Sequence, residues 1–201
     1  MRKTSAACLA TVTAALVVGA GTPAFAADWT VTPGGAVTGT AGTTTLKDTR
    51  SGATLTCASS TTNATVQSGS GLSGTAIATV TAATFNTCKG PLGINFNVTQ
   101  NNVAYQLNAV SYANGVTSGT LENITATLSG PFCTASVGGA TATSSGTVNG
   151  TYDNSTHTLS VSGGDLHVWG VSGCFGLLRT GDAVSYVASY VLSPALTITS
   201  P

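Results

Sequence analysis

The sequence has very little charge. Six Lys and Arg, six Asp and Glu and two His in 201 residues make only 6% of the chain charged, against about 25% in an ordinary soluble domain. A nucleic-acid-binding protein needs clustered Lys and Arg to neutralise phosphates, and a charged disordered tail needs high net charge with few apolar residues. Long helices and coiled coils are rich in Glu, whereas Glu122 is the single Glu here. These three classes are therefore excluded, and with them a nucleic-acid partner.

Residues 1–26 have the pattern of a secretory signal peptide. Arg2 and Lys3 form a short positive region, an apolar run of small residues covers 6–20, and an A-x-A cleavage site follows. The run is shorter than the roughly 20 residues that a membrane-spanning helix needs, and no later stretch is apolar enough. We therefore expect the segment to be removed on export, leaving a secreted, single β-domain over 27–201 with no transmembrane span.

Four cysteines remain after the signal peptide: Cys57, Cys88, Cys133 and Cys174. An even number in an exported chain predicts two disulfides. Three pairings are possible, and we expect the sequential one, Cys57–Cys88 and Cys133–Cys174, in which each bond closes one half of the chain. A zinc site needs closely spaced ligand pairs, whereas the nearest two cysteines here are 31 residues apart. We therefore expect no metal and no other cofactor.

Polar and apolar residues alternate along many short segments, which is typical of half-buried strands. The clearest examples are 94–99 and 103–110. Turn sequences such as 114–115 (Asn-Gly) and 163–164 (Gly-Gly) separate the segments, and no long segment has helical periodicity. The sequence therefore predicts an all-β fold of about ten or more short strands, either an antiparallel β-sandwich or a partly closed β-barrel.

A short pattern recurs in which a glycine is followed three or four residues later by Gly-Thr. It occurs at 35–40, 71–75, 115–120 and 146–151. The irregular spacing argues against a solenoid repeat. Two interpretations remain open: glycine-rich composition produces such matches by chance, or each second glycine marks a bend or bulge where a sheet curves.

The C-terminal third carries a recognisable set of motifs. It reads GTYDNSTHTLSV from Gly150, GDLHVWGVSGCFGL from Gly164 and SPALTI from Ser193. These resemble the GTYxN, LHVxxVSGCxGL and SPxxTI motifs of an uncharacterised family of small exported actinobacterial proteins. The first half is similar through 54–57 and 69–74. The resemblance implies export and does not imply any activity.

Three side chains form a candidate ligand site: Asp165, His167 and Trp169. They share one strand parity, so they should lie on one face of a sheet. On an outward face, the Trp ring could stack on a sugar while Asp and His supply hydrogen bonds, which predicts a carbohydrate or another cell-envelope ligand. If the face turns inward, Trp169 belongs to the core, which is the favoured place for a large aromatic.

The chain carries no motif with catalytic geometry. The segment GVSGC at 170–174 lacks the final glycine of a G-x-S-x-G elbow, and nothing selects two carboxylates for glycoside hydrolysis. The leading hypothesis is an exported, non-catalytic β-domain that acts by binding. One alternative is a small secreted hydrolase in which Asp165 orients His167 as the base. Another is a membrane-active pore-former, although the aromatic girdles of such proteins are absent.

Overall fold

A computed structural model describes residues 28–101 and 104–201, so the predicted signal peptide lies outside the described residues. Within these ranges the chain forms sixteen strands and two short 3-10 helices, Pro91–Gly93 and Cys174–Gly176. The strands are β1 (Trp29–Thr32), β2 (Gly35–Ala41), β3 (Thr44–Asp48), β4 (Thr54–Val66), β5 (Gly69–Leu72), β6 (Ala78–Lys89), β7 (Asn95–Gln100), β8 (Tyr105–Ala113), β9 (Val116–Ile124), β10 (Ala126–Gly130), β11 (Cys133–Gly138), β12 (Gly146–Asp153), β13 (Thr158–Ser162), β14 (His167–Gly173), β15 (Val184–Ser193) and β16 (Thr197–Thr199). The predicted all-β fold is confirmed. No helix in the described ranges has the length and apolarity needed to cross a membrane.

Eight strands close into an antiparallel barrel. The ring runs through β2, β4, β6, β8, β9, β12, β13 and β15 and back to β2, and each strand pairs antiparallel with the next. Of the two architectures that the sequence left open, the barrel is the one formed. Closure leaves this ring without a free edge strand, because every backbone ladder has a neighbour on both sides.

The remaining strands of the large sheet continue the ring strands after short interruptions in strand structure. β3 continues β2 and pairs with β4 and β15, while β7 precedes β8 and pairs with β6 and β10. β11 pairs with β10 and β14, and a bridge between His167 and Ala183 links β14 to the start of β15. Over the described ranges the chain therefore runs up and down around one axis, with several kinked strands and without a crossover connection.

A separate three-stranded sheet covers one end of the barrel, here called the plugged end. In this sheet β1 pairs with β16 and β5. Trp29, Val31 and Leu196 from its segments are almost fully buried and pack in one apolar cluster with barrel side chains. The Tyr152 hydroxyl on β12 donates to the Leu196 carbonyl over 2.9 Å. Apolar side chains from both ends of the described chain therefore fill this end.

The opposite end, here called the open end, is built from four connections: 49–53, 90–94, 131–132 and 174–183. Both predicted disulfides are present and lie close to it. Cys57–Cys88 joins β4 to β6, and Cys133–Cys174 joins the first residue of β11 to the 174–183 loop. The sequential pairing is therefore confirmed.

Two of the four glycine-threonine matches contain a register shift of the barrel: one is 146–151, where the pairing of β12 with β9 shifts between Gly146 and Val148, and the other is 115–120. β8 and β9 shift register between Ala109 and Ser111, opposite Gly119. A Cβ at Gly119 would collide with the Asn108 carbonyl oxygen, whereas a Cβ at Gly150 would make ordinary contacts. At two further matches a Cβ would also be crowded, at Gly39 by the Thr62 Oγ1 and at Gly74 by the Ala109 carbonyl oxygen. The second glycine therefore permits close approach at three of the four matches, but among them only Gly119 lies at a register shift, so the pattern is not a general marker of bends.

Candidate functional site

The barrel encloses three adjoining apolar cavities. The central cavity has a volume of about 110 Å³, and the cavities towards the open and plugged ends have volumes of about 60 Å³ and 70 Å³. The central and open-end cavities share Leu46, Leu55 and Leu128, and the central and plugged-end cavities share Thr62, Val80 and Leu159. The cavities therefore form a row inside the barrel, separated only by side chains.

The open-end cavity reaches the surface. Its lining includes Phe132, Phe175 and Leu177, which are 66%, 74% and 36% exposed, and Leu92 on a neighbouring connection is 97% exposed. We call these four residues the apolar rim. The other exposed large apolar residues of the described chain are three valines on the barrel wall. The Phe132 and Phe175 rings are in contact, and exposed apolar side chains that cluster in this way mark interaction sites, so the rim is a candidate functional surface.

Part of the rim has an unusual backbone geometry. Leu92 and Phe175 have φ values of 60° and 50°, a left-handed region that bulky residues rarely adopt. The Phe132 and Phe175 rings meet edge-on, with centroids 6.2 Å apart, next to the two cysteines of one disulfide. Strained residues of this kind cost about 1–3 kcal/mol each and cluster at functional positions. Sequence reasoning missed the rim because its residues lie in connections without periodicity.

Hydroxyl groups supply the polar part of the central cavity. The Tyr190 hydroxyl lies 2.9 Å from the Ser60 Oγ and 2.8 Å from the Tyr186 hydroxyl. The Thr44 Oγ1 is buried without a hydrogen-bond partner in the described chain. Burial raises the pKa of both tyrosine hydroxyls above the usual value, so both stay neutral near pH 7. The residues that line this cavity therefore carry no charge.

The predicted ligand site lies on the outer wall of the barrel. On β14, Val168 points inward and is fully buried, while His167 and Trp169 on either side of it are half-buried. The Trp169 indole donates its N–H to the Gly139 carbonyl over 3.0 Å. The favoured prediction that Trp169 belongs to the core is therefore wrong. Side chains alternate between the two faces of β14, and Trp169 lies on the face opposite to that of the inward-pointing Val168. The three cavities described above do not include these residues.

The carboxylate of Asp165 and the ring of His167 bind different partners. The His167 Nδ1 lies 2.8 Å from the backbone carbonyl oxygen of Asp165. The Asp165 Oδ1 accepts the Thr147 amide over 2.7 Å. The two residues are therefore neighbours, but the carboxylate does not orient the imidazole as it does in a hydrolase triad. Their role as a ligand site stays a prediction.

Comparison with known proteins gives one match. The family model described as alkane oxidation protein activator PraA/PraB-like matches residues 1–199. No curated protein and no protein of known structure matches the chain significantly. Because the family model spans nearly the whole sequence, this protein belongs to the alkane oxidation protein activator PraA/PraB-like family.

Proposed function

We propose that the protein is exported, has no catalytic activity of its own and binds a hydrocarbon chain in the apolar cavities of its barrel. The observation that carries this proposal is the row of cavities that ends at the exposed apolar rim. The family description supports the substrate class, since it refers to alkane oxidation. Export rests on the signal-peptide pattern of residues 1–26, and two disulfides are compatible with an oxidising compartment.

The dimensions of the cavities favour a linear ligand. Each cavity is smaller than an engineered apolar cavity of about 150 Å³ that binds benzene. A flexible chain can extend through adjoining cavities when side chains such as Leu128 move aside, and each buried methylene group contributes about 0.8 kcal/mol. A carboxylate or ammonium group would be costly beside the uncharged lining of the central cavity, and a carboxylate in the open-end cavity would meet the buried Asp48. We therefore expect an uncharged alkyl chain to bind better than a fatty acid of equal length.

Binding of a neutral fluorescent probe, N-phenyl-1-naphthylamine, tests this proposal. The purified protein should enhance the probe's fluorescence, and decane should displace the probe. A Leu128→Trp variant fills the space between two cavities and should weaken probe binding by roughly tenfold or more, a difference of about 1.4 kcal/mol. Val110→Trp adds the same ring on the outer wall, where Val110 is 66% exposed, and should bind like the parent.

Val137→Leu is a milder second variant, because it adds one methylene group to the lining of the central cavity. It keeps the test valid if Leu128→Trp lowers the melting temperature too far. No fluorescence change with the parent protein, no displacement by decane, or unchanged binding in both cavity variants would refute the proposal.

A second candidate is the predicted carbohydrate or cell-envelope ligand at Asp165, His167 and Trp169. It is favoured by the half-buried Trp169 ring, which lies on the barrel wall together with two polar side chains. Titration with soluble cell-wall polysaccharide, followed by tryptophan fluorescence, tests it, with Trp169→Phe as the variant. The hydrolase and pore-forming alternatives are tested by esterase or glycosidase assays and by dye leakage from vesicles. The actinobacterial source stays a prediction.

A further inference from the structure

All four basic residues of the described chain lie at the open end of the barrel. Lys47 is the penultimate residue of β3, Arg50 lies in the following turn, Lys89 ends β6, and Arg179 lies in the 174–183 loop. All four side chains are exposed. They come from three separate parts of the sequence, so the barrel alone brings them together.

The carboxylates have the opposite distribution. At the open end, Asp48 is buried and Asp182 is paired with Arg50 over 2.7 Å. The other four acidic residues lie towards the plugged end or on the barrel wall: Asp28, Glu122, Asp153 and Asp165. The open end therefore has an excess of positive charge, while the remainder of the described chain carries only negative charge.

The apolar rim and the basic residues share the same connections. Phe175 and Leu177 lie in the loop of Arg179, and Leu92 follows Lys89 by three residues. Arg50 is held by Asp182 and by the Gly176 carbonyl, which leaves Lys47, Lys89 and Arg179 as the cations available to a partner. Exposed apolar side chains surrounded by Lys and Arg are the chemistry that binds a lipid surface with anionic headgroups.

We propose that the open end docks on an anionic lipid bilayer. The rim side chains enter the boundary between headgroups and acyl chains, and Lys47, Lys89 and Arg179 contact the headgroups. A dimer formed through two open ends would place like charges face to face, so charge complementarity favours the bilayer over a second copy of the chain. Docking rests on the rim and the charges rather than on hydrocarbon binding, and it would place the mouth of the open-end cavity against the bilayer.

Vesicle co-sedimentation at two salt concentrations tests this proposal. The purified protein should bind vesicles of equal parts phosphatidylglycerol and phosphatidylcholine at least about tenfold more tightly than vesicles of phosphatidylcholine alone. Raising the salt from 20 mM to 500 mM should abolish most of this preference, because the Debye length falls to a few ångströms. Equal binding to both vesicles, or binding to neither, would overturn the proposal.

Two double variants separate the charged and the apolar contributions. Lys47→Gln with Lys89→Gln should remove most of the preference for phosphatidylglycerol. Phe132→Ser with Phe175→Ser should weaken binding to both vesicles by roughly tenfold or more. The matched control is Val110→Ser with Val191→Ser, two exposed wall residues, and it should bind like the parent. A control that loses as much binding as the rim variant would count against the docking surface.

Two further measurements keep the outcomes distinct. Sedimentation velocity without lipid should show a monomer. A dimer that dissociates when Phe132 and Phe175 are substituted would mean that the rim binds a second copy of the chain and not a bilayer. The neutral probe is measured without vesicles in the parent and in the lysine variant, and it should bind equally to both. A parent protein that binds vesicles but not the neutral probe would refute hydrocarbon binding and leave docking standing. A parent protein that binds the probe but not vesicles would refute docking and leave hydrocarbon binding standing.

Discussion

The Arg50 guanidinium and the Asp182 carboxylate form two parallel hydrogen bonds. The Arg50 Nε donates to Oδ1 over 2.9 Å, and Nη2 donates to Oδ2 over 2.7 Å. The same Nη2 donates to the Gly176 carbonyl over 3.2 Å. These bonds tie the 49–53 turn to the loop that carries Phe175, and bidentate geometry of this kind fixes orientation as well as distance.

Acid should weaken this contact. The hydrogen bonds from Arg50 lower the pKa of the Asp182 carboxyl from its usual 3.8 to about 2. The contact therefore contributes its full stability above the usual pKa, and this contribution is lost as the pH falls through about 2. We expect Asp182→Asn and Arg50→Gln to lower the melting temperature at pH 7 by a few degrees, and to differ little from the parent below pH 2.

Thermal melts followed by circular dichroism between pH 7 and about pH 1.5 measure this effect. Lys47→Gln is the charge-matched control: it removes a neighbouring cation that lies outside the pair, so its pH profile should parallel that of the parent. If the melting temperature of Asp182→Asn showed the same pH profile as that of the parent, the pair would contribute nothing to the pH dependence of stability.

Tyr152→Phe should destabilise the plugged end. The Tyr152 hydroxyl donates to the Leu196 carbonyl over 2.9 Å and accepts the Leu196 amide over 3.3 Å. Removing it leaves two buried backbone groups without a partner, which costs about 1–3 kcal/mol in the free energy of unfolding. Urea denaturation measures the loss. Tyr112→Phe is the matched control, because the hydroxyl of the half-buried Tyr112 makes no hydrogen bond within the described chain, and a loss as large in the control would contradict the explanation.

Gly119→Ala should disturb the pairing of β8 with β9. A Cβ at this position would overlap the Asn108 carbonyl oxygen, which is part of the backbone and cannot rotate away. Overpacking of this kind costs about 1–3 kcal/mol. Gly42→Ala, where a Cβ would meet open space, should change the free energy of unfolding by less than about 0.5 kcal/mol. Equal effects of the two substitutions in urea denaturation would show that close strand approach is not the reason for Gly119.

Removing the two disulfides one at a time should distinguish an effect on stability from an effect on vesicle binding. Replacing Cys133 and Cys174 by Ser should cost about 2–4 kcal/mol and also weaken vesicle binding, because both cysteines adjoin rim phenylalanines. Replacing Cys57 and Cys88 by Ser opens a loop of similar length, 31 against 41 residues. We expect a similar loss of stability with vesicle binding retained, because Lys89, which follows Cys88, is also held by its pairing with Thr56 between β4 and β6. Vesicle binding that fell equally in both variants would indicate a general effect of unfolding.

Local sequence patterns located many of the strands. The alternating segments 94–99 and 103–110 correspond to β7 (Asn95–Gln100) and β8 (Tyr105–Ala113), because period-two alternation follows directly from strand geometry. The Asn-Gly sequence at 114–115 lies at the turn between β8 and β9, where Asn114 and Gly115 have positive φ values. Alternation does not mark every strand boundary: β9 ends and β10 begins within 121–128.

The candidate site could not be predicted in the same way. Trp169 and His167 share a parity, but alternation does not say which parity faces the barrel interior. The rim residues lie in short connections where no periodic pattern exists, and two of them, Leu92 and Phe175, have a left-handed backbone that the sequence does not indicate. Likewise, nothing in the sequence spacing of Lys47 and Arg179 indicates that they share one end of the molecule.

The sequence by itself determined the strand content and the number of disulfides, whereas which cysteines pair was an expectation that the structure confirmed. Alternation and turn residues are local signals that extend over a few residues, so they locate strands without knowledge of distant contacts. An even number of cysteines in an exported chain is enough to predict two bonds. Only the tertiary structure decided that β4 pairs with β6 and β15 with β2, which closes the barrel around apolar cavities. It also gathered the cations and the exposed phenylalanines at one end. These features depend on the register between strands far apart in the chain, which is fixed by the packing of the whole barrel.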